Sequence, residues 1–108
     1  MDWQVYTWGK VVDDEIDALA LDVLAKLARF RREIELNGPA SLPMPYAKYL
    51  GDGLWELRLS GRDGIARVIY FTVHPRRVVL LRAFVKKTQK TPRREIELAR
   101  KRARTLMI

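Results

Sequence analysis

Residues 54–86 read LWELRLSGRDGIARVIYFTVHPRRVVLLRAFVK, three β-type runs at 54–60, 65–73 and 78–86 separated by Gly61-Arg62-Asp63-Gly64 and His74-Pro75-Arg76-Arg77. A parallel crossover needs a dozen or more residues, so turns this short predict an antiparallel meander. The first run alternates, with Trp55, Leu57 and Leu59 on one face and Glu56 and Arg58 on the other. The next two are apolar on both faces, the pattern of central strands covered on each side.

Working outward, WQVYTW at 3–8 interleaves aromatic and β-branched residues and predicts a short opening strand with Trp3, Val5 and Trp8 toward the core. From Asp13, the residues Ile16, Leu19, Ala20, Val23, Leu24, Leu27 and Phe30 recur at three- and four-residue steps, an amphipathic helix that the pattern also allows as two. Asn37-Gly38-Pro39 stops it. Residues 38–53 hold Gly38, Pro39, Pro43, Pro45, Gly51 and Gly53 and read as a connecting loop with little regular structure, pinned by Tyr46, Tyr49 and Leu50. After the meander, Thr91 is the expected N-cap and Pro92 the first turn of a helix with a narrow stripe of Ile96, Ala99, Ala103 and Leu106. The expectation is one α+β domain over residues 1–108, N-terminal helices on a small antiparallel sheet with a helix at the end.

Composition narrows the chemistry. The 108 residues include no cysteine and one histidine, so a disulfide framework or a zinc site is not expected, and no cofactor is implied. MDWQVYTW carries an acid where a signal peptide carries its positive charge, and no apolar run approaches a membrane span, so the cytoplasm is the expected compartment. The net charge of +8 is uneven: residues 1–53 hold 6 basic and 9 acidic side chains, residues 54–108 hold 15 and 4. A positive field concentrated in one half favours a polyanion through counterion release, although a solvated basic face gives the same count.

Arg58, Arg67, Lys86 and Lys87 fall in strands or at their ends, where the sheet aims a side chain. In a paired register Arg58 and Arg67 stand near each other, a repulsion that a phosphate between them relieves. The same spacing also allows Glu56 to neutralise one of them in a surface ion pair worth about 0–1 kcal/mol. KKTQKTPRR at 86–94 sets Lys86, Lys87, Lys90, Arg93 and Arg94, with Thr88 and Thr91, at a strand-to-helix junction where free N–H groups favour anions. Tyr70, Trp55 and Phe84 are candidates for base stacking or, as aromatics in apolar strands usually are, for the core. His74, in a turn, is the only imidazole available as a general base. No phosphate loop, H-E-x-x-H, paired carboxylates or nucleophile elbow appears. What fits is phosphodiester cleavage by the 2′-hydroxyl of RNA itself, where the protein orients the substrate, stabilises charge and moves protons.

LWELRLSGRDGIARVIYF, the passage P-Y-x-K-x-L-G-D-G-L-W-E-L-R from Pro45 to Arg58, and above all K-K-T-Q-K-T-P from Lys86 to Pro92 resemble the phage-derived branch of the RelE/HigB toxin superfamily. The resemblance covers most of the chain. It implies a RelE-like fold and the toxin of a type II toxin-antitoxin system, a metal-independent endoribonuclease that cleaves mRNA, commonly on the ribosome. It implies a helix-turn-helix antitoxin as partner, with operator DNA reached only through that antitoxin. By the same resemblance Arg58 and Arg67 contact the scissile phosphate, Lys86 and Lys87 close the site and Glu56 lines it. Beside these, Lys90, Thr88, Arg82, Arg93, Arg94 and Tyr70 are candidates for binding RNA. Arg67→Ala is then expected to abolish growth arrest with the fold intact. The rival expectation is a non-catalytic module that binds RNA, the ribosome or the antitoxin. A DNA-binding regulator is the third, for which no clear two-helix turn motif is present.

Overall fold

A computed structural model describes residues 3–43, 45–86 and 90–106, of Lys86 the backbone only. The meander is present as β3 (Leu54–Gly61), β4 (Gly64–Val73) and β5 (Arg77–Lys86), with Trp55 opposite Tyr70 and Ile65 opposite Lys86. β1 (Gln4–Thr7) adds to β5 in parallel, Val5 opposite Val78.

The segment 38–53 is more regular than its glycines and prolines suggest. A 3-10 turn at Pro39–Ser41 leads to β2 (Ala47–Gly51), antiparallel to β3, so among the described residues the sheet runs β1-β5-β4-β3-β2. Pro43 and Pro45 lie before β2 and leave its ladder intact. The overlooked signal was Asp52-Gly53, whose φ angles of 55° and 81° are those of a two-residue hairpin turn.

The helical pattern resolves into α1 (Lys10–Asp17) and α2 (Leu21–Asn37), broken at Ala18–Ala20. Gly38 ends α2 at φ 85°, donating its N–H to the Ile34 carbonyl at 2.7 Å. Only glycine fits there, since a Cβ would lie 2.8 Å from the Trp3 Nε1. α3 (Arg93–Arg104) begins after Pro92 as N-cap, with no side-chain capping bond. Thr91, expected in that role, spends its hydroxyl elsewhere.

β4 is buried along Ala66–Phe71 because both sheet faces are covered. One face carries Leu57, Leu59, Val68 and Tyr70 against Val12, Ile16, Val23, Leu27 and Ile34 of the two N-terminal helices. The other carries Leu54, Ile69, Phe71 and Leu81 against Ala99 and Ala103 of α3. Small residues at those two positions let α3 approach the sheet, and enlarging either would overpack the contact at about 1–3 kcal/mol. No described helix is long and apolar enough to cross a membrane.

Candidate functional site

On the α3 face, β3 and β4 bring together the charges that the sequence places in their runs. Glu56 and Arg67 are diagonal neighbours, since Glu56 faces Ile69 and Arg58 faces Arg67. The Arg67 Nη1 donates to the Glu56 Oε1 at 3.0 Å, with both side chains only 1% exposed. The second Glu56 oxygen accepts from the Thr91 hydroxyl, which ties the segment before α3 to the sheet. The surface ion pair allowed by the sequence is therefore a buried one. The reason is that α3 and the residues before it cover this face, which alternation alone reads as open.

Arg58 completes the arrangement. Its N–H donates to the Tyr46 carbonyl on the β2 side at 2.8 Å, so opposite Arg67 it forms a non-hydrogen-bonded pair, the closer of the two antiparallel spacings. Burial pulls the Arg67 pKa below its ordinary value; Glu56 opposes this and the Arg58 charge adds to it. The Arg67 Nε is buried and has no acceptor among the described residues. Arg58 and Arg67 thus share a cross-strand position, Arg67 bonded to Glu56 and keeping an N–H to spare.

Of the 86–94 stretch, Lys90 and Arg93 adjoin this cluster through Thr91. Lys90 and Arg93 line a hollow of about 540 Å³ with Thr91, Pro92 and Ile96, and Arg94 is exposed on the first turn of α3. Lys87 and Thr88 lie outside the described residues, as does the side chain of Lys86, whose backbone pairs with Ile65. A second hollow, about 440 Å³, opens between α2, residues 41–46 and the end of β3, and Arg58 lines it. The sequence places Thr91 in the basic stretch but as a helix cap, and apart from Arg58 the lining of this hollow reads there as helix, strand end and loop.

Other candidates are placed elsewhere. Tyr70 is 2% exposed in the core beneath the N-terminal helices, which corrects its assignment to RNA stacking; burial pushes its hydroxyl pKa up to about 12. Arg82 is held by carboxylates, its Nε donating to Glu95 at 2.7 Å and its Nη1 meeting Glu15 at 3.0 Å; these contacts, the Glu95 bond foremost, raise its pKa. Its guanidinium is thereby committed to a network joining α1, β5 and α3. His74 is exposed in the β4–β5 turn, seven residues along the chain from Arg67, and lines a separate hollow with Arg100 and Arg104. Trp55 is partly buried on the core face and Phe84 is buried on the α3 side. Among the described residues no three His, Cys, Asp or Glu side chains cluster as metal ligands.

A search of curated proteins finds no match to the chain. A family model described as phage derived protein Gp49-like (DUF891) matches residues 14–104, a stretch that contains Glu56, Arg58, Arg67 and Thr91 and runs to the last turn of α3. With that match spanning nearly the whole fold, the chain belongs to the phage-derived Gp49-like family, a RelE/ParE-like toxin family.

Proposed function

We propose that this chain is the toxin of a type II toxin–antitoxin pair and a metal-independent endoribonuclease acting on mRNA at the ribosome, neutralised by a helix-turn-helix antitoxin. The observation that carries the reading is the excess of positive charge at one point of a rigid sheet: Arg58 faces Arg67 across β3 and β4, and the Glu56 carboxylate is bonded to Arg67. Such a point is suited to a phosphodiester, whose charge removes the repulsion and grows in the pentacoordinate state.

In this mechanism Arg58 and the cations from Lys90 to Arg94 hold the phosphate. The 2′-oxygen attacks phosphorus, passing its proton to water and forming a 2′,3′-cyclic phosphate, while the bond to the 5′-oxygen breaks and that oxygen takes a proton from water. Glu56 and Arg67 act as positioning residues, because at 1% exposure they fix the site's charge from beneath. Thr91 keeps the basic segment in register with them.

Primer extension on mRNA from cells expressing the chain tests the reading, with discrete new 5′ ends expected. Arg58→Ala is the informative variant, since it removes a half-buried cation without breaking the buried pair. It should lower the cutting rate on the order of 100-fold with the circular dichroism spectrum unchanged. Growth arrest without new ends would overturn the nuclease reading. The burial of Glu56 and Arg67 favours one rival, a module that occupies RNA, the ribosome or an antitoxin without cutting, and that same result would support it.

A further inference from the structure

β2 ends its pairing at Ala47 opposite Leu57, so from Arg58 to Gly61 the edge of β3 has no described strand beside it. α2 bridges this edge, Lys26 donating its ammonium to the Ser60 carbonyl, and leaves the cavity of about 440 Å³. Its walls combine Lys26, Arg29 and Arg58 with Phe30, Tyr46 and Ser41. Tyr46 is 46% exposed, and its ring packs tilted against Phe30 at a centroid distance of 5.4 Å, so two aromatic rings meet at the cavity wall. Glu33 is the one acid on the wall, and its carboxylate accepts from the Asn37 amide at 3.0 Å. Arg58 belongs to this cavity and to the Arg58–Arg67 pair, so the two are contiguous.

We infer that this cavity is a subsite for one nucleotide of single-stranded RNA, its base stacked on Tyr46 and its phosphate held by Arg29 and Arg58. Stacking platforms beside cations are how unpaired bases are bound, because every base offers a flat face. An acidic peptide would use the cations and gain little from the aromatic rings. The subsite deepens the nuclease reading and rests on it for the identity of RNA: it seats the nucleotide next to the scissile phosphate.

The test uses the full chain and a fluorescent 2′-O-methyl RNA heptamer, which has no free 2′-hydroxyl to attack, with affinity read by anisotropy. Tyr46→Ala should raise Kd about tenfold while Tyr46→Phe stays within about twofold. Arg29→Glu, an exposed change on α2 that carries the test should Tyr46→Ala fail to fold, should weaken binding about tenfold and flatten the salt dependence. If the wild type cuts mRNA and both Tyr46→Ala and Arg29→Glu bind within about twofold of it, the subsite is overturned and the nuclease stands. If the wild type leaves mRNA uncut yet binds the heptamer through Tyr46, the nuclease falls and the subsite stands. Absence of heptamer binding overturns the subsite and leaves the nuclease to the primer-extension result. A loss of affinity for polyglutamate, with none for RNA, in Arg29→Glu assigns the cavity to an acidic peptide and overturns the subsite.

Discussion

Along the sheet, Glu56 and Arg67 meet at 3.0 Å with each side chain 1% exposed, whereas Glu15, Arg82, Glu95 and Arg102 form a network whose side chains keep 10–23% exposure. The network is balanced, two carboxylates to two guanidiniums. It is also anchored to backbone, the Arg102 Nη1 donating to the Leu81 carbonyl at 2.7 Å and the Ala83 N–H to Glu15 at 3.1 Å. Arg102 lies over the Trp8 ring as well, 5.2 Å from its centroid. Those contacts join α1, β5, α3 and the residue that follows β1, and leave few donors over. The Glu56 cluster is unbalanced, with a second guanidinium in register and the Arg67 Nε without an acceptor among the described residues. The closed set of charges serves the fold, and the open one is the feature on which the proposed phosphate site rests.

The largest effect separating the two clusters should come from Arg67→Ala. It leaves the Glu56 carboxylate buried without its partner and is expected to cost about 3–5 kcal/mol in urea unfolding at neutral pH. This revises the expectation that the substitution spares the fold. Glu56→Leu with Arg67→Met, which removes both charges at similar volume, should recover stability to within about 1 kcal/mol of the wild type while toxicity stays lost. A single substitution costing under about 1 kcal/mol would place the pair in water instead.

Glu15→Gln probes the balanced network and should cost about 1.5–3 kcal/mol, the range for hydrogen bonds to charged groups, with toxicity retained. Its pH dependence sharpens the contrast. Burial alone would raise the Glu15 pKa, but the Arg102 hydrogen bond, the Ala83 N–H and the charges of Arg102 and Arg82 outweigh it and hold the carboxyl below its ordinary 4.5. A folded pKa below the unfolded one gives stability that is full above that ordinary value and lost as pH falls through the folded value. Urea midpoints should therefore drop on acidification below about pH 4.5 in the wild type and drop less in Glu15→Gln. Equal slopes in the two proteins would remove Glu15 from the acid transition.

The smallest effect belongs to Lys10 and Asp14, an i,i+4 pair at 3.0 Å with side chains 86% and 61% exposed. Lys10→Ala should change stability by at most about 0.5 kcal/mol, because water screens that pair and leaves each charge solvated when the other is gone. A loss above about 1 kcal/mol would mean that exposure is a poor guide to the worth of these ion pairs.

Much of the fold was legible from local rules. The three meander strands, the opening strand, the stop at Asn37-Gly38 and the helix after Pro92 all rest on periodicity or backbone chemistry that a single segment carries. β2 was the strand overlooked, because its prolines and glycines mark the ends of the segment while its pairing depends on β3. At the site, the placement of Arg58 opposite Arg67 followed from strand register. Tyr70 was misplaced because a strand alternates its faces without saying which one a helix will cover.

Sequence by itself determined which residues share a strand face, where the positive charge accumulates and where helices stop, since those depend on neighbours along the chain. Tertiary structure alone decided that Glu56 and Arg67 are buried, that Thr91 binds a carboxylate instead of capping a helix, and that Tyr46, Arg29 and Arg58 share a cavity. These depend on how segments far apart in sequence cover one another. The energy of a charge or a hydroxyl is set by that cover, through the water it excludes and the partners it supplies.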